Sequence, residues 1–226
     1  MMGPKKTESR RARVLIVDDH PIVRRGLAQL LGQEADLVVC GEAEDAYGAL
    51  EAIKKLTPDI VIVDLLLKES SGIGLIKDIK IRWPKLPVLV LTMYDESSYA
   101  ERALRSGARG FLPKAEAASK VVEGIRQLLG GGVYVSDRIA SRMLGKLVGG
   151  GPQAEAFPVD RLSDREFQVF ELIGQGLETR EIAKRLHLSP KTVDAHRAHI
   201  KTKLDVDSAT GLLKYAVQWT QFERGG

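Results

Sequence analysis

The sequence has one cysteine, few aromatic residues and no long apolar run. A single thiol, Cys40, can form no disulfide within the chain, and its place in the apolar stretch LVVC predicts a small buried side chain. No apolar stretch approaches the roughly 18 residues needed to cross a bilayer, and the basic segment 1–13 has no apolar segment of signal-peptide length behind it. We therefore expect a cytoplasmic protein without a membrane partner.

Charge is unevenly distributed along the chain. Of its 226 residues, 44% are apolar and 28% charged, which is typical of globular proteins, and the length accommodates two domains. Residues 14–135 carry 15 basic against 17 acidic residues, whereas seven basic residues stand against two acidic ones between Arg180 and Lys203. Such a basic block is typical of a surface that binds a polyanion, although a solvated helical face has the same composition.

Short apolar runs alternate with amphipathic segments over the first 130 residues. The runs predict strands at 14–17, 37–40, 60–63, 88–91 and 110–112. Apolar residues at helical spacing predict helices near 22–33, 46–56, 72–82, 97–106 and 117–129. Because continuous apolar strands need cover on both faces, the pattern predicts a five-stranded parallel sheet with helices on both sides.

Polar side chains follow four of these strands. Asp18 and Asp19 follow the first strand, Asp64 the third, Thr92 the fourth and Lys114 the fifth. In a parallel sheet, ligands gather at the carboxyl ends of the strands, so these five side chains are predicted to meet at one edge. A pair of acids at a strand exit is equally typical of simple solvation, so the prediction depends on the whole set.

Three neighbouring carboxylates repel one another unless a cation or protons compensate them. Hard oxygen ligands suit Mg²⁺, or Mn²⁺ in its place. A divalent ion would neutralise charge on an incoming phosphoryl group and leave Asp64 able to attack phosphorus, while Lys114 and Thr92 contact the phosphoryl oxygens. The sequence therefore predicts that Asp64 accepts a phosphoryl group and that Asp18, Asp19 and Asp64 bind the metal.

The second half predicts a linker and a helical domain. Glycine triplets flank a short helical segment, and we place the linker at residues 131–160. Ser163 and Glu166 form a capping box, and Ser189 is suited to begin a later helix. Residues 161–222 are thus predicted to form four helices, of which the second and third, joined by a tight turn, are a helix-turn-helix.

These motifs resemble the NarL/FixJ family of response regulators over nearly the whole chain. The first part resembles a receiver domain in its acidic pair, its acceptor aspartate, Gly72, Thr92 and the stretch GFLPK with Phe111 and Lys114. The last part resembles a LuxR-type helix-turn-helix in LSDRE and IAKRLHLSPKTVDAH. We assign residues 1–13 to a basic tail and residues 14–130 to a receiver domain. Residues 131–160 are assigned to a linker with a short helix, and residues 161–222 to a DNA-binding domain.

The resemblance implies a flavodoxin-like receiver domain joined by a linker to an all-α, four-helix LuxR-type domain. It implies that a sensor histidine kinase phosphorylates Asp64, that the backbone carbonyl of Leu66 is a further metal ligand, and that Thr92 and Phe111 form the switch. Phe111 would turn inward when Thr92 moves toward the phosphoryl group, although a plain core aromatic fits the same position. The protein is then expected to dimerise on phosphorylation, to bind double-stranded DNA, and to regulate transcription with RNA polymerase as a further candidate partner.

The third helix of the second domain is the predicted reader of DNA. Its exposed face is predicted to enter the major groove and to contact phosphates or bases. The candidate residues are Lys191, Thr192, Asp194, Ala195, Arg197, Ala198 and Lys201. Asp194 could accept a hydrogen bond from a cytosine amino group. Alternatively, its negative charge could simply interact favourably with the dipole at the helix N-terminus. The next helix has a stripe that suits either a dimer contact or ordinary core packing, formed by Leu212, Leu213, Ala216 and Val217.

Two other functions suit parts of this pattern. An aspartyl-phosphate phosphotransferase or phosphatase would also use Asp64 with Mg²⁺, but such phosphatases commonly have a second acid where this chain has Leu66. A transcription factor independent of phosphorylation could use the receiver-like domain only to dimerise. The complete set of rim residues favours the phosphorylated regulator, which is not an enzyme beyond assisting its own phosphorylation and dephosphorylation.

Overall fold

The computed structural model describes residues 10–67, 70–93, 96–148 and 158–225. In the first part, five strands form one parallel sheet in the order β2-β1-β3-β6-β7. These strands are β1 (Ala12–Val17), β2 (Leu37–Ala43), β3 (Ile60–Val63), β6 (Val88–Thr92) and β7 (Gly110–Pro113), and a small antiparallel pair consists of β4 (Leu66–Leu67) and β5 (Ser70–Ser71).

Five helices cover the two faces of this sheet. They are α1 (Pro21–Leu31), α2 (Ala46–Leu56), α3 (Gly72–Arg82), α4 (Glu96–Ser106) and α5 (Ala117–Leu129). Helices α1 and α5 pack with one apolar cluster, and α2, α3 and α4 pack with the other. The side chains of β3 are buried along its whole length, which explains its uninterrupted apolar sequence. The predicted doubly covered parallel sheet is confirmed.

Cys40 is an exception to the predicted burial. It lies in β2, which is the edge strand of the sheet, and its side chain is only half-buried. Partial burial raises the pKa of the Cys40 thiol. An apolar run therefore predicted the strand correctly, but it did not reveal that the strand has a neighbour on one side only.

The second half is helical. Its helices are α6 (Asp137–Val148), α7 (Asp164–Gly174), α8 (Thr179–Arg185), α9 (Pro190–Leu204) and α10 (Ala209–Gly225). The predicted capping box is present at the start of α7, where Ser163 Oγ accepts from the Glu166 N–H and Glu166 accepts from the Ser163 N–H. The Ser189 hydroxyl likewise caps α9. Helix α6 lies within the predicted linker.

The helical half packs directly against the sheet half. Arg102 on α4 is the centre of this contact, because its guanidinium donates to the Leu162 and Val159 carbonyls and to Asp164 Oδ1 at 3.0 to 3.2 Å. The same guanidinium lies over the ring of Phe167, 4.4 Å from its centroid. The start of α7 is therefore fixed on α4 by both charge and stacking.

Other contacts extend the same interface. The ring of Tyr99 meets that of Phe167 edge-on, with centroids 5.2 Å apart. Lys77 Nζ on α3 lies 2.8 Å from Asp164 Oδ2. Gln168, which is fully buried, donates through Nε2 to the Leu65 carbonyl at 3.4 Å. The structure thus has a closed arrangement in which α7 contacts α3, α4 and the loop after β3.

Some sequence predictions fall on parts of the chain outside this description. Residues 1–9 of the predicted basic tail and residues 149–157 of the predicted linker lie outside the described residues. Within the described part, no helix is long and apolar enough to span a bilayer.

Candidate functional site

The carboxyl ends of four neighbouring strands bring the predicted rim residues together. Asp18 follows β1, Asp64 follows β3, Thr92 ends β6 and Lys114 follows β7. Lys114 Nζ lies 2.6 Å from Asp18 Oδ2 and 2.6 Å from Asp64 Oδ2. All four side chains are buried or nearly so. The ammonium group therefore bridges two carboxylates that would otherwise repel each other out of water.

Asp19 completes the acidic cluster. Its side chain is 9% exposed, and Asp19 Oδ1 is buried without a hydrogen-bond partner among the described residues. His20 Nδ1 lies 2.7 Å from that oxygen but does not form a hydrogen bond with it, and it is 3.2 Å from Asp18 Oδ1. A buried carboxylate oxygen without a donor is costly unless a cation or solvent satisfies it.

One potential ligand atom from each of Asp18, Asp19, His20 and Asp64 lies within 4.8 Å of the others. Receiver domains generally bind Mg²⁺ through acidic residues, and this donor set fits a hard divalent cation because three of its four members are carboxylates. Sequence reasoning did not single out His20. Its only signal was its position directly after the acidic pair in VDDH.

The pKa values of the bridged pair follow from burial and charge. Burial raises the pKa of Asp64, and the neighbouring Lys114 ammonium and Thr92 hydroxyl oppose that rise only in part. Burial alone would lower the pKa of Lys114, but the carboxylates of Asp64 and Asp18 outweigh it and leave the pKa above its usual value. The shift thus favours the charged form of Lys114, and a donor set with three carboxyl groups around one ammonium group suits a divalent cation.

Replacing Asp19 with asparagine is expected to stabilise the metal-free protein. The change removes one of three mutually repelling carboxylates whose oxygen has no donor, so the free energy of unfolding in EDTA should rise by about 1–2 kcal/mol. The same change should reduce the stabilisation that MgCl₂ gives to the native chain. Urea denaturation with and without Mg²⁺ measures both effects, and Glu51→Gln on the exposed face of α2 is the control. A less stable Asp19→Asn protein in EDTA would contradict the electrostatic account.

The backbone around Asp64 is tightly constrained. The Leu66 N–H donates to Asp64 Oδ1 at 3.2 Å, and Leu66 itself pairs with Ser71 in the small antiparallel sheet. A Cβ atom added at Gly72 would collide with the Asp64 carbonyl and the Leu65 backbone. Only glycine allows α3 to begin this close to the end of β3. The metal contact predicted for the Leu66 carbonyl remains a prediction.

Phe111, the predicted switch residue, is buried in this structure. Its side chain is 1% exposed and packs in the cluster that also contains Tyr99. The part of Thr92 and Phe111 in a switch remains a prediction. Tyr99 on α4 belongs to the same core and contacts Phe167 on α7.

The predicted DNA-reading face lies on the surface of α9. Lys191, Thr192, Asp194, Ala195 and Ala198 are exposed, and Arg197 and Lys201 are partly exposed. Val193, Ile200 and Leu204 are buried on the opposite side. The Asp194 carboxylate accepts from the Thr179 hydroxyl at 3.3 Å, which gives it a structural contact with the start of α8.

The stripe on α10 divides into two groups. Leu212 and Ala216 are fully buried and belong to the core of the helical half. Gly174 on α7 approaches α10 so closely that a Cβ atom would collide with Thr220 Oγ1. Val217 is partly exposed, whereas Leu213 is 42% exposed. Core packing therefore accounts for Leu212 and Ala216, whereas Leu213 and Val217 keep exposed surface, and their predicted role in a dimer contact remains a prediction.

Comparison with known proteins identifies both halves. Residues 14–126 match the family model of the response regulator receiver domain, and residues 160–216 match that of bacterial regulatory proteins of the luxR family. The chain is 33% identical to the oxygen regulatory protein NreC of Staphylococcus aureus over 211 residues, which cover 91% of this chain and 97% of NreC.

Solved structures give the same result. A LuxR-family two-component response regulator from an Aurantimonas species is 34% identical with a TM-score of 0.56, covering 61% of this chain and 99% of that one. RcsB of Salmonella enterica, bound to the rprA promoter in the presence of the phosphomimetic BeF₃⁻, is 32% identical with a TM-score of 0.59 and covers 92% of this chain and 98% of RcsB. This chain therefore belongs to the NarL/FixJ family of response regulators, transcription regulators that join a receiver domain to a LuxR-type DNA-binding domain.

Proposed function

We propose that a sensor histidine kinase phosphorylates Asp64 and that this modification controls binding of the regulator to double-stranded DNA. The observation that carries the proposal is the buried cluster in which Lys114 Nζ lies 2.6 Å from both Asp18 and Asp64. A plain structural ion pair would need one carboxylate, whereas this cluster holds three carboxylates, one cation and a hydroxyl at the ends of four strands.

Asp18, Asp19, Asp64 and the Leu66 carbonyl are the residues that would hold Mg²⁺ or Mn²⁺. Asp19 Oδ1, which is buried and accepts no hydrogen bond although His20 Nδ1 lies 2.7 Å away, supports this assignment. When bound, the divalent ion would neutralise negative charge on the incoming phosphoryl group. In our proposal Asp19 is therefore a metal ligand, and its carboxylate destabilises the folded protein when no metal is bound.

The residues of the chain itself determine the geometry of the transfer. An oxygen of Asp64 forms the new bond to phosphorus, and the bond from phosphorus to the donor nitrogen or oxygen breaks with its electron pair leaving on the donor. Lys114 would then exchange its contact with Asp64 Oδ2 for a contact with a phosphoryl oxygen. The Thr92 hydroxyl, which already hydrogen-bonds the Asp64 side chain, would donate to a second phosphoryl oxygen.

The test is the intact mass of the full chain after incubation with a small phosphodonor and MgCl₂. We expect one added phosphoryl group on the native protein, none on Asp64→Ala, and none on the native protein in EDTA. Asp59→Ala, a carboxylate at the opposite end of the same strand, is the control and should be modified normally. An adduct that persists in Asp64→Ala would contradict the assignment of the acceptor.

The helix α9 is the proposed reader of DNA. The proposed phosphate contacts are the exposed Lys191 and Thr192 and the partly exposed Arg197 and Lys201. The exposed residues Asp194, Ala195 and Ala198 are the proposed contacts to base edges. Short side chains at the base-facing positions leave room for only a few direct contacts. We therefore propose that the shape of the DNA contributes to specificity.

Replacing Asp194 with alanine separates base reading from a structural role. If Asp194 accepts from a cytosine amino group, binding to the preferred site should weaken by about 1–3 kcal/mol, and preference at that base pair should disappear. Lys191→Ala is the comparison, because loss of a phosphate contact should weaken all DNA sequences equally. Titrations of base-substituted duplexes at one salt concentration measure the difference. If Asp194→Ala weakens binding to all duplexes equally, the role of Asp194 is structural, through its contact with Thr179.

Several partners follow from this function. We propose that phosphorylation favours a homodimer on DNA with Leu213 and Val217 of α10 at the contact between the DNA-binding domains, and that RNA polymerase is a further partner. A cytoplasmic location agrees with these partners. We propose no catalytic activity beyond the gain and loss of the regulator's own phosphoryl group.

A further inference from the structure

Arg24 on α1 lies next to the acidic cluster, and the sequence pattern did not single it out. Its side chain is 16% exposed. Its Nη1 group donates to the backbone carbonyl of Asp18 at 2.7 Å, and its Nε group donates to Glu42 Oε2 on β2 at 2.9 Å. One guanidinium therefore joins the loop after β1 to the neighbouring strand.

The loop from Asp18 to His20 is held by several backbone hydrogen bonds. The Asp18 N–H donates to the Ala43 carbonyl at 3.1 Å, and the His20 N–H donates to Asp18 Oδ1 at 2.8 Å. The carbonyl that accepts from Arg24 belongs to the peptide between Asp18 and Asp19. Because the orientation of this peptide affects the direction in which both side chains leave the backbone, Arg24 acts on two proposed metal ligands at once.

Asp19 needs such a constraint. Its Oδ1 atom is buried, although it accepts no hydrogen bond from the described part of the chain. A carboxylate oxygen without a donor gains free energy by turning toward water, so a fixed backbone must oppose that movement. Lys114 holds Asp18 through its side chain, whereas Arg24 holds the peptide from which Asp19 follows.

Compensation of charge does not account for the contact between Arg24 and Asp18. The carboxylate of Glu42 offsets the charge of the guanidinium, so the pair adds little net charge beside the cluster. Glu42 stands opposite Ile16 in the register of β1 with β2, which gives the guanidinium a fixed support. What Arg24 contributes is therefore the direction of a backbone carbonyl.

We infer that Arg24 is a positioning residue for the metal site, because by holding the peptide between Asp18 and Asp19 it sets both carboxylates where one divalent ion can bind them. The inference rests on the proposed function, in which these two residues are metal ligands. Arg24 acts through the ligands that it holds. Groups that hold metal ligands in place typically contribute a factor of about 10–100 to metal affinity.

The experiment measures Mn²⁺ binding to the metal-free full chain from the amplitude of the electron paramagnetic resonance signal of free Mn²⁺. In Arg24→Met, which keeps a long side chain without donors, the dissociation constant should rise about tenfold or more. Arg24→Lys should have an intermediate value, because an ammonium group is a point charge that reproduces the two-sided contact poorly. Arg25→Met is the matched control, since Arg25 is the exposed neighbour on α1, and its dissociation constant should equal the native one.

A second measurement separates positioning from a purely structural role. The initial rate of adduct formation with a small phosphodonor is measured against the concentration of MgCl₂. In Arg24→Met the half-saturating concentration should rise by the same factor as the Mn²⁺ dissociation constant, whereas the limiting rate should not change, because Asp64, Lys114 and Thr92 remain. A structural role alone would lower the midpoint of urea unfolding in EDTA and leave both metal constants at their native values, and that result would overturn the inference.

Glu42→Gln gives an answer even if Arg24→Met does not fold. This change keeps the bond from Arg24 to Asp18 but weakens the ion pair that orients the guanidinium. The Mn²⁺ dissociation constant should therefore rise about threefold, as expected for a partly exposed ion pair. Native Mn²⁺ affinity in both Glu42→Gln and Arg24→Lys would overturn the inference.

The two measurements also distinguish failure of this inference from failure of the proposed function. If no chain forms an adduct but the order of Mn²⁺ affinities holds, phosphorylation of Asp64 fails and the role of Arg24 stands. If the native chain forms the adduct and Arg24→Met binds Mn²⁺ as tightly as the native chain, the proposed function stands and the inference is overturned. A native chain that binds no Mn²⁺ overturns the inference as well.

Discussion

Replacing Arg102 with alanine is expected to raise the affinity of the unphosphorylated protein for DNA by about tenfold or more. Arg102 alone donates to two backbone carbonyls and to Asp164, and it stacks on Phe167. Hydrogen bonds to a charged group contribute about 1.5–3 kcal/mol each when they are partly buried. The loss of several such bonds at one residue should shift the molecule from the closed to an open arrangement.

We expect the closed arrangement to compete with DNA, because the receiver rim faces the end of the first helix of the helix-turn-helix. In a helix-turn-helix complex the first helix crosses the DNA backbone while the second enters the major groove. Here the end of that first helix, α8, faces the receiver rim, and His187 in the turn contacts Asp19. DNA and the receiver domain would therefore use the same surface of α8, and weakening one contact should favour the other.

Titration of a labelled duplex at fixed salt measures the effect, because affinity for DNA depends strongly on ionic strength. Arg105→Ala is the control. Arg105 lies on the same helix and carries the same charge, but it forms its ion pair with Glu101 on α4 itself. Equal gains in affinity for Arg102→Ala and Arg105→Ala would point to a general loss of positive charge, and no gain would mean that the closed arrangement does not restrict DNA binding.

Asp64, the proposed phospho-acceptor, and this interface are close enough to be coupled. Leu65, whose carbonyl accepts from Gln168, is bonded directly to Asp64. The other route leads through α4, where Tyr99 contacts Phe167 and shares a core with Phe111. A movement of Thr92 toward a phosphoryl group would disturb the end of β6, from which the chain runs into α4. Phosphorylation can thus weaken the closed arrangement by altering either contact.

The rim was predictable from sequence because chain direction determines it. Apolar runs identified the strands, and a parallel sheet places every strand end on the same edge. Asp18, Asp64, Thr92 and Lys114 therefore meet although up to 96 positions separate them along the chain. The capping boxes and most helix bounds were predictable for a similar reason, since their signals are local.

Contacts between the domains left no comparable pattern. Arg102 and Asp164 are ordinary charged residues on two amphipathic helices, and nothing in either segment indicates that they pair. The sequence likewise does not indicate that the His20 ring lies beside the Asp19 carboxylate, because this contact depends on the orientation of the Asp19 side chain. On α10, a stripe of four apolar residues could not reveal that Leu212 and Ala216 pack inside while Leu213 faces outward. Such features depend on packing between elements that are distant in sequence.

Replacement of Lys114 is the second change for which we expect a large effect, here on stability. Replacing it with methionine should lower the free energy of unfolding in EDTA by about 3–5 kcal/mol, because breaking a buried ion pair leaves its partners uncompensated. Asp18 and Asp64 are 1% and 3% exposed, and each has its Oδ2 atom 2.6 Å from the ammonium group. Methionine has a similar length, so loss of packing is a small part of the effect.

Addition of MgCl₂ should restore much of that loss. A divalent ion bound to Asp18, Asp19 and Asp64 replaces the missing positive charge, and binding to the folded state alone stabilises it by mass action. Lys114→Met should therefore gain more stability from Mg²⁺ than the native chain gains. Lys120→Met, which removes an exposed lysine paired with Glu116, should be unaffected by either condition. If Lys114→Met is as stable as the native chain in EDTA, the carboxylates do not depend on Lys114. If its loss is the same with and without Mg²⁺, the metal does not bind among them.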